Sequence, residues 1–236
     1  MNEDWSVAVL AGGLATRLRP LTDRMPKALI KVSGEPFLAH QLRLLRSQGV
    51  RQVVLCLGYL GEKIKEEFGN GSQYDMKIDY SFDGPSLLGT GGALKRALPL
   101  LPREFFVLYG DSYLPISYAP VASAFRESGK PALMTVFRNE NRWDTSNVQF
   151  DGKTIRRYDK KNRTKEMHYI DYGLGILRAN VLATWPDNQP FELADVYRAL
   201  AENKELAGFE VTQRFYEIGS KEGLAELAAL FRESKA

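Results

Sequence analysis

The stretch Ser6–Ala11 has the sequence SVAVLA and leads directly into Gly12 and Gly13. A short, continuously apolar run of this kind is typical of a strand that is buried on both faces of a parallel sheet. Pro36–Gln48 follows with three leucines at helical spacing, and Val53–Leu57 (VVLCL) is a second apolar run. A buried strand, an amphipathic helix and another buried strand predict a parallel βαβ unit at the start of the chain.

The same alternation of apolar runs and amphipathic segments continues to about residue 137. It predicts further helices over Glu62–Phe68, Gly92–Leu101 and Val121–Ser128, and further strands over Lys77–Phe82, Glu104–Tyr109 and Ala132–Phe137. Helices that connect parallel strands cover both faces of the sheet. The pattern therefore predicts an α/β fold, a Rossmann-like three-layer α/β/α arrangement around a mostly parallel mixed sheet.

From residue 138 onward the pattern becomes richer in strands. Asp151 and Gly152 lie between the strand-like segments Asn147–Phe150 and Thr154–Tyr158, which is a strong hairpin signal. The remaining pattern predicts strands over Asp171–Leu177 and Phe209–Tyr216, and helices over Leu193–Glu202 and Leu224–Phe231. Because no Pro-rich or Ser-rich linker divides the chain, we expect one domain over residues 1–236 whose β-rich second part faces the substrate.

Length, charge and residue counts exclude several classes of protein. The 236 residues include one cysteine, Cys56, and two histidines, which excludes a disulfide framework, a cysteine-rich zinc site and a three-histidine metal centre. The 32 basic and 29 acidic side chains give a net charge of +3, too small to indicate nucleic-acid binding. No apolar run approaches the roughly 18 residues of a membrane span, and Met1–Asp4 is acidic and unlike a signal peptide. We therefore expect a cytoplasmic protein without a nucleic-acid or membrane partner.

The segment after the first strand is a candidate site, because ligands of open α/β sheets bind beyond the carboxyl ends of the strands. It consists of Gly12–Pro20, followed by Pro26 and Lys27. Adjacent glycines let the backbone approach a phosphate, and Arg17, Arg19 and Lys27 could neutralise a triphosphate. The segment is neither a Walker loop nor a dinucleotide-binding fingerprint. On local chemistry alone, a glycine turn with surface cations stays open as a second interpretation.

The run Leu10–Val32, LAGGLATRLRPLTDRMPKALIKV, resembles the signature of the sugar-1-phosphate nucleotidyltransferases, also called nucleotide-sugar pyrophosphorylases. In that family the glycine loop wraps the nucleotide, which implies nucleotide contacts here for Leu10, Ala11, Gly12 and Gly13. The resemblance also implies that Arg17 stabilises the leaving pyrophosphate and that Lys27 contacts the reacting phosphates, both in catalysis. Many members carry glycine where this chain has Ala15, and the methyl group disfavours a positive φ at that position.

A second element, Leu88–Leu94 (LGTGGAL), resembles the family's L-G-T-[AG]-G-A-L motif. In the family, its glycines and helix N-terminus pack against the base and ribose, which implies nucleotide contacts for Gly89 and Thr90. Asp83 lies near the family's base-reading position, where a carboxylate would accept hydrogen bonds from guanine N1–H and N2–H. Taken alone, this segment is equally typical of a loop that precedes a helix.

Two carboxylates occur where the family has its metal-binding residues. Asp111 follows a predicted strand and Gly110, and Glu217 lies in YEIGS, which resembles the family's W-x-D-[IV]-G-T element. The resemblance implies that Asp111 and Glu217 hold Mg²⁺ and that Asp111 takes part in catalysis. Without the resemblance, Asp111 would belong to a common turn and Glu217 would cap the following helix.

The segment Tyr158–Asn162 (YDKKN) resembles the family's F-x-E-K-P element, which binds the sugar phosphate. It implies a phosphate contact for Lys161, whereas Lys160 replaces a glutamate that often contacts sugar hydroxyls, and both lysines are candidates for sugar-phosphate binding. Asp171 and Gly173 lie in DYGL, which resembles N-x-G-[IV]. Asp171 could accept hydrogen bonds from sugar hydroxyls, and Gly173 would let the backbone approach the sugar. By charge alone, the surrounding basic run is also compatible with a solvated hairpin arm.

These elements follow the family's order over nearly the whole chain, and the resemblance implies nucleotidyl transfer. A sugar 1-phosphate would attack the α-phosphorus of an NTP, pyrophosphate would leave, and an NDP-sugar would form. Residues about 1–137 would bind the nucleotide, and the β-rich subregion of residues about 138–236 would bind the sugar phosphate. Among compact members of the family, the expected substrates are GTP and a heptose or hexose 1-phosphate. The expected assembly is a monomer or homodimer.

Two other functions remain open from the sequence. One is a cytidylyltransferase for a non-sugar phosphate such as phosphocholine, for which Tyr169, Tyr172 and Trp185 could form an aromatic cage. The other is a non-catalytic, nucleotide-sugar-binding homologue that serves as a regulatory subunit. The cationic loop residues and Asp111 argue against the second of these functions.

Overall fold

A computed structural model describes residues 5–233, so that Met1–Asp4, the segment unlike a signal peptide, lies outside the described residues. The strands are β1 Ser6–Leu10, β2 Lys31–Val32, β3 Glu35–Pro36, β4 Gln52–Leu57, β5 Lys77–Phe82, β6 Glu104–Tyr109, β7 Ser112–Tyr113, β8 Ala132–Arg138, β9 Val148–Phe150, β10 Ile155–Tyr158, β11 Tyr169–Arg178, β12 Leu206–Val211 and β13 Tyr216–Glu217. The α-helices are α1 Phe37–Ser47, α2 Gly61–Phe68, α3 Gly89–Ala97, α4 Tyr118–Ser128, α5 Leu193–Glu202 and α6 Lys221–Glu233. Within residues 5–233, no helix combines the length and the apolarity that crossing a bilayer requires.

The central sheet confirms the expectation of a mostly parallel mixed sheet. Strands β5, β4, β1 and β6 lie side by side and parallel. Strand β11 pairs antiparallel with β6 on one side and with β8 on the other, and β12 lies parallel beside β8. The predicted hairpin, β9 and β10, joins the start of β11, where Val148 pairs with Tyr169. Among the nine strands that the described residues contribute to this sheet, only β10 and β11 run against the common direction.

Helices cover both faces of the sheet and produce the expected three layers. On one face, α1, α2 and α4 pack around alternate strand residues such as Val7 and Val9 of β1. On the other face, α3 and α5 pack around residues such as Ala8 of β1 and Cys56 of β4. Successive residues of a strand point to opposite faces, so each strand must be apolar throughout to contribute to both cores. This explains the continuous apolar runs of the sequence.

Several predicted elements have different bounds in the structure. The helices predicted over Val121–Ser128 and Leu224–Phe231 each begin three residues earlier, at Tyr118 and Lys221. The strand predicted over Phe209–Tyr216 is divided, because β12 ends at Val211, opposite Phe137 near the end of its partner β8. The later residues form β13, which pairs with β7 in a separate small sheet. The helix predicted over Gly92–Leu101 begins three residues earlier and ends at Ala97, before a 3-10 turn over Leu98–Leu100. Apolar periodicity could not place its start because glycines contribute nothing to that pattern.

Candidate active site

Two adjoining cavities lie beyond the carboxyl end of β6. The first cavity, about 590 Å³, is lined mainly by the segments that follow β1, β5 and β6. The second cavity, about 250 Å³, lies between the end of β6, the first half of β11 and four further segments. Tyr109 and Asp111 line both cavities. The end of β6 is therefore the place where the two spaces meet.

All the residues predicted to contact the nucleotide line the first cavity. They are Leu10, Ala11, Gly12, Gly13, Asp83, Gly89 and Thr90, and Lys27 and Asp111 line it with them. These residues follow three different strands of the sheet. Their meeting around one space agrees with the rule that open α/β sheets place ligands beyond the carboxyl ends of their strands.

Close backbone packing shapes the glycine loop after β1. A side chain at Gly12 would place its Cβ 2.9 Å from the main-chain nitrogen of Gly58, so the loop passes directly over the end of β4. Ala15 has a φ of +50°, so the expectation that its methyl group prevents a positive φ is wrong. The Ala15 carbonyl accepts hydrogen bonds from Thr22 Oγ1 at 2.9 Å and from the amide of Leu18 at 3.1 Å. These bonds help to offset the cost of the left-handed conformation.

Lys27 and Asp111 form an ion pair where the two cavities meet. The distance from Lys27 Nζ to Asp111 Oδ2 is 2.9 Å, and the two side chains are 18% and 30% exposed. Lys27 begins a short 3-10 helix after Pro26, and Asp111 follows β6 through Gly110. A partly buried cation beside a carboxylate provides a charge-assisted contact for a phosphate and an oxygen ligand for a cation.

The glycines at the start of α3 pack against protein. A Cβ at Gly91 would lie 2.4 Å from ring atoms of Phe191, and one at Gly92 would lie 2.7 Å from the carbonyl oxygen of Gln189. The amides of Gly91 and Gly92 both donate to the carbonyl of Phe191, at 3.0 and 3.2 Å. A Cβ at Gly89 would likewise lie 2.6 Å from the carbonyl oxygen of Phe191, but Gly89 lines the first cavity and the other two do not. The expectation that the glycines of this motif pack against the nucleotide is therefore wrong for Gly91 and Gly92, whose near neighbours are residues 189–192.

Thr90 is held by Glu192, a residue that the sequence analysis missed. Thr90 Oγ1 donates to Glu192 Oε2 at 2.5 Å and accepts from the amide of Leu193 at 2.8 Å. Both Thr90 and Glu192 line the first cavity. Glu192 immediately precedes α5 and lies 102 positions after Thr90, and no local pattern in the sequence indicated that the two would meet.

Asp83 is buried beside the first cavity. Its Oδ2 accepts the amide of Leu88 at 3.1 Å, and its main-chain carbonyl accepts Nη1 of Arg96 at 3.1 Å. Burial raises the pKa of the Asp83 carboxyl, while the amide of Leu88 and the charge of Arg96 act in the opposite direction. One carboxylate oxygen thus closes the turn before α3, which leaves Oδ1 as the oxygen available to a base.

The second cavity brings together most of the other predicted residues. Its lining includes Arg17, Lys160, Asp171, Gly173 and Glu217. Arg17, predicted to lie at the leaving pyrophosphate, lines this cavity and not the first. Lys161 differs from its prediction because it lines neither cavity. Its amide donates to Asp159 Oδ1 at 2.8 Å in a tight turn, and this turn places Lys160 at the cavity instead.

Asp171 accepts hydrogen bonds from two tyrosines at the base of the second cavity. Its Oδ2 lies 3.2 Å from the hydroxyl of Tyr158 and 3.5 Å from that of Tyr109, and its Oδ1 accepts the amide of Gly173 at 3.0 Å. Burial first, and then the charge of Asp171, raises the pKa of both tyrosines well above the usual value, so both remain donors. The ammonium of Lys160 lies 5.3 Å from the centroid of the Tyr109 ring and 6.0 Å from that of the Tyr158 ring. A carboxylate and a cation thus share this cavity.

Glu217 lies close to Asp111 and Arg17. It belongs to β13 and pairs with Ser112, the neighbour of Asp111. A Cβ at Gly219 would lie 3.3 Å from Glu217 Oε1 and 3.6 Å from Arg17 Nη2, so these two side chains approach the same point. Burial first, and then the negative charge of Asp111, raises the pKa of Glu217, while Arg17 lowers it. Within residues 5–233, no three His, Cys, Asp or Glu side chains are grouped to hold a metal.

A comparison with protein families decides the relationship of the chain. The family model described as nucleotidyl transferase matches residues 6–234. The chain belongs to the nucleotidyl transferase family. This membership confirms the resemblance that the run Leu10–Val32 carries.

Three relatives in this family share the chain's sequence at similar levels. The mannose-1-phosphate guanylyltransferase catalytic subunit beta of Drosophila pseudoobscura pseudoobscura is 30% identical over 216 residues, which cover 89% of this chain and 58% of that protein. The N-acetylmuramate α-1-phosphate uridylyltransferase of Neisseria meningitidis serogroup B is 29% identical over 226 residues, 94% of this chain and 96% of that protein. The D-glycero-α-D-manno-heptose 1-phosphate guanylyltransferase of Campylobacter jejuni is 29% identical over 187 residues, 79% and 82% of the two chains. The chain thus spans little more than half of the first relative and nearly all of the second.

A solved structure supports the fold. HddC from Yersinia pseudotuberculosis, complexed with GMP-PN, superposes with a TM-score of 0.79 at 24% sequence identity. The superposition covers 96% of this chain and 99% of that one. The α/β fold predicted from the apolar runs is therefore shared with this solved structure.

The aromatic residues considered for a quaternary-ammonium cage are dispersed in this chain. Each contacts a different ring: Tyr172 lies 6.0 Å from Phe215, Tyr169 lies 5.4 Å from Phe150, and Trp185 lies 4.9 Å from Phe191, all between centroids. Only Tyr172 lines either of the two cavities. A cage of these three rings is therefore not formed.

Proposed function

We propose that this chain transfers a nucleotidyl group from an NTP to a sugar 1-phosphate, forming an NDP-sugar and pyrophosphate. The observation that carries the proposal is the meeting of the two cavities at the Lys27–Asp111 ion pair. A nucleotide in the first cavity and a sugar 1-phosphate in the second would bring their phosphates together at that pair. The names of the guanylyltransferase and uridylyltransferase relatives support the same chemistry.

The transfer needs positioning and charge neutralisation more than covalent chemistry. An oxygen of the sugar 1-phosphate forms a bond to the α-phosphorus, and the bond to pyrophosphate breaks with its electron pair on the leaving group. Lys27 would contact the α-phosphate and the incoming phosphate, and Arg17 would neutralise charge that develops on the phosphates during transfer. Holding both substrates in adjoining cavities replaces a bimolecular encounter by an oriented reaction.

The pair Asp111 and Glu217 fits a divalent cation. Both side chains offer carboxylate oxygens, the ligands that Mg²⁺ prefers, and Lys27 engages only one oxygen of Asp111. Burial first, and then the charge of Asp111, raises the pKa of Glu217, and a cation between the two carboxylates would offset this repulsion. We propose that these residues hold Mg²⁺, which when bound supplies positive charge to the triphosphate.

The second cavity supplies contacts for the sugar 1-phosphate. We propose that Lys160, rather than Lys161, contacts an anionic group of this substrate, because Lys160 lines the cavity. Asp171 would accept hydrogen bonds from sugar hydroxyls, since the two tyrosine hydroxyls hold its carboxylate in place. Gly173, with a φ of +99°, would let the backbone of β11 approach the sugar.

We propose GTP with a heptose or hexose 1-phosphate as the substrates. Two of the relatives are named guanylyltransferases of mannose 1-phosphate and of a heptose 1-phosphate, and the buried Asp83 carboxylate could accept a guanine N–H. The uridylyltransferase relative, which matches nearly end to end, makes UTP with N-acetylmuramate 1-phosphate the second pair to test. We further propose a cytoplasmic monomer or homodimer that acts on these small molecules and on no nucleic acid.

The test is a measurement of pyrophosphate release by the purified chain. Each of the four NTPs is combined with mannose 1-phosphate, a heptose 1-phosphate, N-acetylmuramate 1-phosphate or phosphocholine, with Mg²⁺ or with EDTA. We expect release with GTP and a sugar 1-phosphate, and loss of release in EDTA. Release only with CTP and phosphocholine, or no release with any pair, would overturn the proposal, and the second result would favour the regulatory homologue.

A further inference from the structure

The loop between β8 and β9 has a well-defined shape that depends on Asn139. The Asn139 side-chain amide donates to the carbonyl of Asp144, and its oxygen accepts the amide of Trp143 at 3.2 Å. The amide of Ser146 donates to Asn141 Oδ1 at 2.9 Å. This loop, residues 139–146, contributes Asp144 and Thr145 to the lining of the second cavity. It is one wall of that cavity.

The segment between β12 and α6 forms a facing wall of the same cavity. Phe215 and Glu217 from this segment line the cavity. The ring of Phe215 packs edge-on against Tyr172 and Phe137, with centroid distances of 6.0 and 6.2 Å. These contacts anchor the facing wall to the central sheet.

Trp143 and Arg214 connect the two walls. The guanidinium of Arg214 lies 3.6 Å from the centroid of the Trp143 ring, and 5.1 Å from that of Tyr216. Trp143 is nonetheless 48% exposed, so its ring is held by this stack at the protein surface. Nη2 of Arg214 pairs with Glu226 of α6, and its buried Nε has no hydrogen-bond partner within residues 5–233. The Arg214 guanidinium is thus held by Glu226 of α6 and stacks on the ring of Trp143.

The stack is a direct contact between the two walls. Within the part of the chain that the structure describes, no hydrogen bond joins residues 139–146 to residues 212–217. Each wall contributes a carboxylate to the cavity, Asp144 from the loop and Glu217 from the facing wall. The cation–π contact therefore links two walls that hydrogen bonds do not connect.

We propose that Trp143 and Arg214 form a clasp that sets the width of the second cavity, and that both are positioning residues for the sugar 1-phosphate. This inference rests on the proposed function, which assigns the second cavity to that substrate. Neither side chain itself lines a cavity, but their chain neighbours Asp144 and Phe215 line the second cavity, and no residue of 139–146 or 212–217 lines the first. The clasp therefore affects the sugar 1-phosphate and leaves NTP binding unchanged.

The test is a double-mutant cycle with Trp143→Ala, Arg214→Ala and the double variant. Each single variant raises KM for the sugar 1-phosphate about tenfold, because the substrate must then order the two walls on binding. KM for the NTP stays within about twofold of the wild-type value. The double variant is no worse than either single variant, because each substitution removes the same contact.

Three further variants separate the clasp from other effects. Arg214→Lys keeps a cation beside the ring and retains most of the affinity for the sugar 1-phosphate. Glu226→Gln removes the ion pair of Arg214 with α6 and leaves the stack, so KM for the sugar 1-phosphate changes far less than in Arg214→Ala. Lys65→Ala removes a different surface cation–π contact, 5.8 Å from the Phe82 centroid, and leaves both KM values unchanged.

The clasp is overturned if KM for both substrates rises equally, or if the effects of the single variants multiply in the double variant. Failure of the proposed function has a different signature, the absence of pyrophosphate release by the wild-type chain with every substrate pair. In that case the fluorescence emission of Trp143 tests the clasp, measured in a variant in which Trp5 and Trp185 are replaced by Phe. Arg214→Ala shifts this emission if the stack exists, and an unchanged spectrum overturns the clasp without any substrate.

Discussion

Asp111 shows how a single residue acquires its chemical setting from its neighbours. Its Oδ2 is 2.9 Å from Lys27 Nζ, and its charge raises the pKa of Glu217. It lines both cavities, so any phosphates that meet between them would lie beside it. A carboxylate in this position can be neutralised by a lysine on one side and share a cation with a second carboxylate on the other.

Replacement of either of two charged residues at this junction tests the catalytic assignment. We expect Asp111→Ala and Arg17→Ala each to lower turnover by more than about 100-fold, because a fixed charge that acts on the transferring phosphates is lost. The measurement is steady-state pyrophosphate release, with circular dichroism to verify that the fold is intact. The matched controls are Arg51→Ala and Asp75→Asn, which break a surface ion pair of 2.6 Å outside both cavities. Turnover of the junction variants at the level of these controls would contradict the assignment.

At the scale of elements, helix α3 illustrates how a motif can have a structural cause. Its motif carries three glycines, Gly89, Gly91 and Gly92, and at each of them a side chain would collide with residues 189–192. In that segment, the carbonyl of Phe191 accepts hydrogen bonds from the amides of Gly91 and Gly92. The start of α3 thus joins the first half of the chain to the segment that leads into α5 and brings Glu192 to the first cavity.

Two valine substitutions distinguish packing from nucleotide contact in the glycine motifs. We expect Gly91→Val to lower the free energy of unfolding by about 2 kcal/mol or more, because its Cβ would lie 2.4 Å from the ring of Phe191. Gly13→Val should stay within about 0.5 kcal/mol of wild type, since a Cβ at Gly13 has no neighbour within 4 Å. Urea unfolding gives both values. Equal stability of the two variants would show that Gly91 is not a packing residue.

At the scale of the whole molecule, one sheet connects the two parts of the chain. Strand β6 from the first part pairs with β11 from the second along five residue pairs, from Leu174 and Leu108 to Arg178 and Glu104. The first cavity is likewise lined from both parts, because Pro190 and Glu192 join the loops after β1, β5 and β6. These shared contacts support the proposal that residues 1–236 form one domain.

One cooperative unfolding transition is the consequence to test. Two variants are needed, one in which Trp5 is the single tryptophan and one in which Trp185 is. In each variant we expect tryptophan fluorescence and far-ultraviolet circular dichroism to give the same urea midpoint of unfolding. Trp5 packs on Phe106 in the first part, with centroids 4.9 Å apart, and Trp185 on Phe191 in the second. Separate midpoints for the two signals in either chain would indicate two units that unfold independently.

The strand and helix pattern was largely predictable because it depends on local composition. The apolar runs at β1, β4, β6 and β8 were all located, since a strand buried on both faces must be apolar throughout. The predicted strand over Phe209–Tyr216 was wrong because its length depends on where β8 ends and on a separate pairing with β7. Such limits come from partners distant in the chain.

The sequence by itself determined the α/β class, the glycine loop after β1 and the family, because each depends on residues that are neighbours in the chain. The tertiary structure decided which of these residues meet. It pairs Lys27 with Asp111 across 84 positions, brings Lys160 rather than Lys161 to the second cavity, and stacks Arg214 on Trp143. The physical reason is that periodicity and motifs encode local conformation, whereas these contacts depend on how β6, β11 and the loops around them pack in space.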